Sequence, residues 1–157
     1  MKDHILFTII GFRELPDFLA EIDSVDINIL NEFGENLLHE AAVNRRLDCV
    51  IELLKRRINV DQVESGGKTS LHYAAVRNQF EIAERILAAG GRVDIADKSG
   101  NEVLWTAAFN AKGNYRLVKA LIAAGANPRH KNNVDKSPLD LASDMKDQGL
   151  IDALSGR

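Results

Sequence analysis

Of 157 residues, one is cysteine, one tryptophan, two are methionine and three proline. The lone thiol, Cys49, can form neither an intramolecular disulfide nor a cysteine-based zinc cluster, which excludes both stapled scaffolds and zinc modules. Long apolar runs are also missing. The longest candidate, residues 5–12, is far short of the about 20 residues a membrane helix needs, and it carries Thr8 and Gly11. A secretory leader is not expected: Asp3 lies near the start, and Arg13-Glu14 follow before any small-residue cleavage site. Charge of one sign is scarce, with a net value of −3. General nucleic-acid binding relies on neutralising phosphates with Lys and Arg, so a surface of this sign argues against it. A composition of 45% hydrophobic and 27% charged residues belongs to a folded chain rather than a disordered one.

The small net charge hides an uneven distribution. Residues 1–35 hold eight acids against Lys2 and Arg13, a local charge of −6, and the remaining residues carry +3.

What the chain has in place of these features is repetition. Asn36-Leu37-Leu38-His39-Glu40-Ala41-Ala42 matches Thr69-Ser70-Leu71-His72-Tyr73-Ala74-Ala75, which in turn matches Glu102-Val103-Leu104-Trp105-Thr106-Ala107-Ala108. His39, His72 and Trp105 are each 33 residues apart. A fourth copy, Ser137-Pro138-Leu139-Asp140-Leu141-Ala142-Ser143, is displaced by 35, so two residues are inserted, and Gly113-Asn114 places them in a turn near residues 111–113. Each copy reads as a turn (Gly34, Gly67, Gly100, then Asp135), a short alanine-rich helix such as residues 69–76, a polar loop, and a second helix with apolar residues at helical spacing, as in Ile82, Ile86 and Leu87. Ala-Ala-Gly closes two copies at Gly90 and Gly125, because glycine takes the left-handed conformation that ends a helix at little cost. No single unit could bury its apolar face alone; stacking them creates one continuous core.

The pattern resembles the ankyrin repeat, with its period of 33 and T-P-L-H-x-A signature. Thr69–Ala75 matches six of the seven T-P-L-H-x-A-A positions, and the segments following Gly90 and Gly125 are similar to the family's hairpin loop. The resemblance covers roughly residues 31–154 and implies an all-α ankyrin repeat solenoid of stacked helix-turn-helix units joined by hairpin loops. The whole of 1–157 then forms a single domain: a degenerate N-terminal capping repeat over 1–30, repeats over 31–63, 64–96 and 97–131, and a C-terminal capping repeat over 132–157. In the cap, Ile5, Leu6, Ile9 and Ile10 supply one apolar face and Phe12, Leu15, Phe18, Leu19 and Ile22 a second, with Pro16 expected at the first helical position. There are departures: Asn36-Leu37 and Glu102-Val103 replace Thr-Pro, Trp105 replaces the histidine, and Arg56-Arg57 stands where other copies close on glycine.

Chemistry is sparse. His39 and His72 occupy the signature position, where the resemblance implies a structural tie between adjacent turns rather than a metal or catalytic role; His4 and His130 fall near opposite ends of the array. Cys49 aligns with Ile82 and Leu117, as a buried small hydrophobe would. Gly66-Gly67-Lys68-Thr69 imitates the end of a phosphate loop but lacks the first glycine at the required spacing. Lys55-Arg56-Arg57 ends a helix, where cations complement the carbonyl dipoles. No cofactor or metal is expected, and the chain is read as no enzyme.

Binding is what remains. In ankyrin folds the concave face, made of hairpin tips and first helices, meets the partner. By alignment this gives Glu32, Phe33, Glu35, Ser65, Lys68, Lys98, Asn101, Asn133, Val134 and Lys136 at the tips, and Val43, Asn44, Val76, Arg77, Phe109, Asn110, Ala111 and Lys112 at the ends of the first helices. Val43, Val76 and Phe109 share one position and form an apolar stripe, with Phe109, beside Trp105 and the insertion, as the expected anchor. The resemblance extends to compact bacterial ankyrin proteins, some of which neutralise a toxin. It implies a cytoplasmic, monomeric binder of one protein, acting as an inhibitor or immunity protein, with no nucleic-acid or membrane partner. The acidic N-terminal block suits a basic partner. A structural role through self-association is the alternative.

Overall fold

The computed structural model describes residues 3–12 and 14–156, with side chains from Leu6 to Gly11 and from Glu14 onward. His4, Ile5 and Phe12, assigned above, lie outside the described side chains. Ten helices are described, in five pairs: α1 (Asp3–Phe12) and α2 (Leu15–Ile22), α3 (Leu37–Val43) and α4 (Leu47–Lys55), α5 (Ser70–Val76) and α6 (Phe80–Ala88), α7 (Val103–Asn110) and α8 (Arg116–Ala123), α9 (Pro138–Asp144) and α10 (Gln148–Leu154). The described β-structure is an isolated antiparallel bridge between Ala96 and Glu102.

The pairs stack in register. First helices pack on first helices, α1 on α3, α3 on α5, α5 on α7 and α7 on α9, while α2, α4, α6, α8 and α10 form the second layer. The first helices lie close because the residues between them are small: Ala41, Ala42, Ala74, Ala75, Ala107 and Ala108 are all buried. Leu38, Leu71 and Leu104, one per repeat, are buried at the same position and fill the space between layers. Each removal to alanine there costs about 2–5 kcal/mol, the usual range for a core leucine.

Hydrogen bonds join neighbouring repeats at repeating positions. The Asn28 side chain accepts from Asn59 N–H at 2.9 Å, and Asp61, 33 residues after Asn28, accepts from Arg92 N–H at 2.8 Å. The helix pair α1–α2 therefore enters the stack as the later pairs do. Pro16 sits at the second position of α2, not the first, because the helix starts at Leu15. Prolines in the first turn lose nothing, since those N–H groups have no helical partner.

The first repeat ends its second helix without glycine yet keeps the geometry. Arg57 takes φ +60°, where Gly90 and Gly125 take +91° and +92°. Ile58 N–H then donates to Leu53 O, as Gly91 does to Ile86 O and Ala126 to Leu121 O. Arg56 does more than complement the helix end: it binds Glu52 at 2.8 Å and reaches Asp23 of the preceding pair at 3.3 Å. Part of the acidic N-terminal block is thus matched internally.

Candidate partner-binding face

The hairpin tips are built by a residue three positions before each turn glycine. The side chain of Asn31 accepts from Phe33 N–H and Glu35 N–H, Glu64 from Gly66 and Lys68, Asp97 from Ser99 and Asn101, and Asn132 from Val134 and Lys136. The glycine that follows takes positive φ, +78° at Gly34, +83° at Gly67 and +77° at Gly100; Asp135 does the same at +57°. At Gly67 the need is twofold, for a Cβ would also stand 3.1 Å from the backbone of Asp97 and Lys98. Successive tips are linked by main-chain bonds: Ser65 N–H to Phe33 O, Lys98 N–H to Gly66 O and Asn133 N–H to Ser99 O. The tips form one tied row.

The histidines carry the next set of links. Asn36 N–H donates to His39 Nδ1 at 3.2 Å and Thr69 N–H to His72 Nδ1 at 3.2 Å, so each ring presents Nε2–H outward. His39 Nε2 donates to Lys68 O of the next repeat at 3.2 Å, and His72 Nε2 to Asn101 O at 3.3 Å. Burial holds both imidazoles below the ordinary histidine range, which keeps them neutral and leaves Nδ1 free to accept. Where Trp105 replaces the third histidine, His130 supplies the link from the other side. Its Nε2 donates to Gly100 O at 3.1 Å and its Nδ1 meets Glu102 Oε1 at 3.1 Å. Burial raises the Glu102 carboxyl above its usual range. In the last repeat Asp140 stands at the histidine position and caps α9 through Ser137.

These bonds engage several of the residues expected at the tips. The Glu35 carboxylate accepts from Tyr73 O–H at 3.0 Å and from Asn31 Nδ2 at 2.7 Å. Asn101 accepts from His72 and from Asn132, Asn133 donates to Lys98 O, and Lys136 pairs with Asp144 at 2.7 Å. Phe33 and Val134 stand out at 56% and 74% exposure, with Leu30 and Val63 also exposed on the hairpins.

At the far ends of the first helices the stripe is graded. Val43 is half-buried, Val76 is 43% exposed and Phe109 60%. In the last repeat the corresponding position is Asp144, and Met145, the next residue, is 49% exposed. The structure gathers Val76, Arg77, Asn110 and Lys112 around one open groove of about 450 Å³, completed by Arg45, Asn78, Ala111 and Asn114. Asn44, expected nearby, instead binds Glu40 through its side-chain amide. Ala111, expected at the surface, has its own bulk buried, because the insertion lengthens α7 by a residue and folds back at Lys112 (φ +45°) and Gly113 (φ +86°). Asn78 ties this turn down, donating to Ala111 O at 3.3 Å and Asn114 O at 3.2 Å.

Two family models match the chain, "Ankyrin repeats (3 copies)" over residues 9–97 and "Ankyrin repeat" over residues 99–133. The chain belongs to the ankyrin repeat family. The protein is 30% identical over 139 residues to the B-cell lymphoma 3 protein homolog of Mus musculus, which covers 88% of this chain and 30% of that one. It is 33% identical over 110 residues to inversin of Gallus gallus, 69% of this chain and 10% of that one. It is 29% identical over 150 residues to palmitoyltransferase AKR1 of Lachancea kluyveri, 92% of this chain and 20% of that one. This ankyrin chain therefore spans less than a third of the length of each of these relatives. Ankyrin repeats make it a protein–protein interaction module.

Among the described residues no group of three or more His, Cys, Asp and Glu is placed to hold a metal ion. Cys49 is fully buried, and desolvation pushes its thiol up to about 11. No helix among the described residues is long and apolar enough to cross a membrane.

Proposed function

We infer that this ankyrin protein acts without catalysis, by holding one specific partner protein against the ends of its first helices and the hairpin tips. The observation that carries the reading is Phe109: a large aromatic side chain, 60% exposed, beside a two-residue insertion and at the repeat position that Val43 and Val76 hold. An exposed aromatic on a rigid support is the usual anchor of a protein interface. Phe33, Glu35, Val43, Asn44, Lys68, Val76, Arg77, Lys98, Asn101, Asn110 and Lys112 complete the proposed contact set, though Glu35 and Asn101 act first through the internal bonds above.

The function is that of a monomeric cytoplasmic inhibitor or immunity-type antitoxin, which covers a surface its partner needs. Asp17, Glu21 and Glu32 remain exposed at the N-terminal end and favour a basic region of the partner there by steering its approach. The test is capture from the native cell with wild-type protein and with Phe109→Glu, each checked for fold by thermal melting. A partner retained by wild type and lost by Phe109→Glu supports the reading. Equal retention by both overturns it.

A further inference from the structure

The groove beside Phe109 carries charge that the fold does not use. Arg45, Arg77 and Lys112 line it, one from each of three successive repeats. None of the three makes a side-chain hydrogen bond or ion pair among the described residues. This sets them apart from their neighbours: Arg46 is held by Asp48 at 2.8 Å, Arg116 contacts Glu81 at 3.5 Å, and Lys136 is held by Asp144. The acids nearest Arg45 and Arg77 in sequence are already engaged. Glu40 binds Asn44, Asp48 binds Arg46, and Glu81 contacts Arg116. The cations therefore line the groove without an ion-pair partner among the described residues.

Their backbone is also fixed. Arg45 and Lys112 sit at φ +58° and +45°, in the left-handed region that a non-glycine residue enters only when its surroundings require it. Asn78, at φ +49°, bonds the insertion to the preceding repeat. A row of cations on a rigid backbone is preorganised for an anionic ligand, since less freedom is lost on binding.

We propose that this groove receives an acidic peptide segment of the partner, whose Asp or Glu side chains pair with Arg45, Arg77 and Lys112 while a neighbouring apolar side chain packs on Val76 and Phe109. The proposal rests on the reading that this face is the binding face, and it adds the chemistry of what binds. Arginine recognises carboxylates through two parallel hydrogen bonds, which gives register along the segment as well as attraction. An acidic peptide fits better than a nucleic acid. Three cations flanked by apolar surface on a protein of net charge −3 are far from the row of phosphate contacts that nucleic-acid binding relies on.

The experiment is a titration of the ¹⁵N-labelled full chain followed by NMR. The probes are a peptide of about twelve residues rich in Glu and Asp with one Leu and one Phe, the same peptide with Lys for each acid, and a single-stranded oligothymidylate of about the same length. The acidic peptide shifts amides of residues 45, 76–78 and 109–114, binds about tenfold or more weaker when salt rises from about 50 to about 300 mM, and loses about tenfold or more in affinity to Arg77→Glu/Lys112→Glu. The neutral pair Arg77→Gln/Lys112→Gln gives a smaller loss in the same direction, and replaces the reversal if that variant melts early. Shifts confined to other residues, equal binding of the lysine peptide, tighter binding of oligothymidylate, or an undiminished variant overturns the proposal. Capture of the native partner separates the two readings. If Phe109→Glu still captures and still binds the acidic peptide at residues 45 and 76–78 with the same salt dependence, the anchor fails and the charge pairing in the groove stands; if Arg77→Glu/Lys112→Glu captures as wild type does, the groove's role fails and the anchor stands.

Discussion

Replacing His72 by alanine tests what holds the repeats together. His72 is 1% exposed. Its Nδ1 accepts from Thr69 N–H at 3.2 Å and lies 3.0 Å from Thr69 Oγ1, and its Nε2 donates to Asn101 O at 3.3 Å in the next repeat. His72→Ala leaves the Thr69 N–H without its acceptor, at about 1 kcal/mol, the low end for a buried orphan, and takes one bond from Asn101 O, which keeps Asp97 N–H, at about 1 kcal/mol, the usual net worth of a hydrogen bond. The emptied ring volume adds about 1–2 kcal/mol. The expected loss is about 3–4 kcal/mol, a large part of the about 5–15 kcal/mol that a domain of this kind has in total. Urea unfolding followed by circular dichroism reads it. With a slope of about 2 kcal/mol per molar for such a chain, the midpoint falls by about 1.5–2 M at unchanged slope. A loss below about 1 kcal/mol would refute the reasoning, because it would mean the inter-repeat histidine bond contributes little beyond its neighbours' packing.

Other outcomes follow from the same contacts. His39 and His72 are held below their ordinary value of 6.5 by burial, so the unfolded chain binds protons first as pH falls. Their contribution is fully present above about pH 6.5 and is lost as pH drops through the lowered folded values, so urea midpoints decline as pH falls below about 6.5, and less steeply in His72→Ala. Cys49, buried with its thiol pushed up to about 11, stays unmodified by iodoacetamide at about pH 8 in the native protein and reacts on unfolding; modification of the folded chain at the rate of a free thiol contradicts its placement. Arg57→Gly relieves a left-handed arginine at φ +60° and raises stability by about 0.5–1 kcal/mol in the same urea assay, and any loss beyond experimental error speaks against strain there.

The fold was legible because an exact period survives in residues that packing constrains. Leu38, Leu71 and Leu104, the paired alanines and the turn glycines all recur at 33, and all three classes do in the structure what their spacing implies. The insertion could be placed for the same reason, since both flanking helices kept their pattern. The tip-forming side chains escaped notice because Asn31, Glu64, Asp97 and Asn132 share an acceptor oxygen rather than a residue type. They lie three before each turn glycine, and that regularity was the available signal. Links such as Tyr73 to Glu35 and His130 to Glu102 join residues 38 and 28 apart in sequence, and nothing local announces them.

The face itself was partly readable. Aligning helix ends brought Val76, Arg77, Asn110 and Lys112 into view, and they share a groove. Arg45 was missed because it takes the left-handed position just past the helix end, and alignment to helix positions passes over it. Glu35 and Asn101 were read as free surface, whereas long-range bonds occupy them. Exposure along a solenoid depends on what the neighbouring unit places opposite, and this is set by pairs of residues about 33 apart, not by either alone.

The most direct test of the central claim is hydrogen exchange on the protein with its captured partner bound. Binding through the ends of the first helices predicts new protection at residues 43–45, 76–78 and 109–112, with little change at residues 84–85 and 119 on the second-layer helices. Protection concentrated on the second layer, with the Phe109 segment exchanging as in the free protein, would contradict the account.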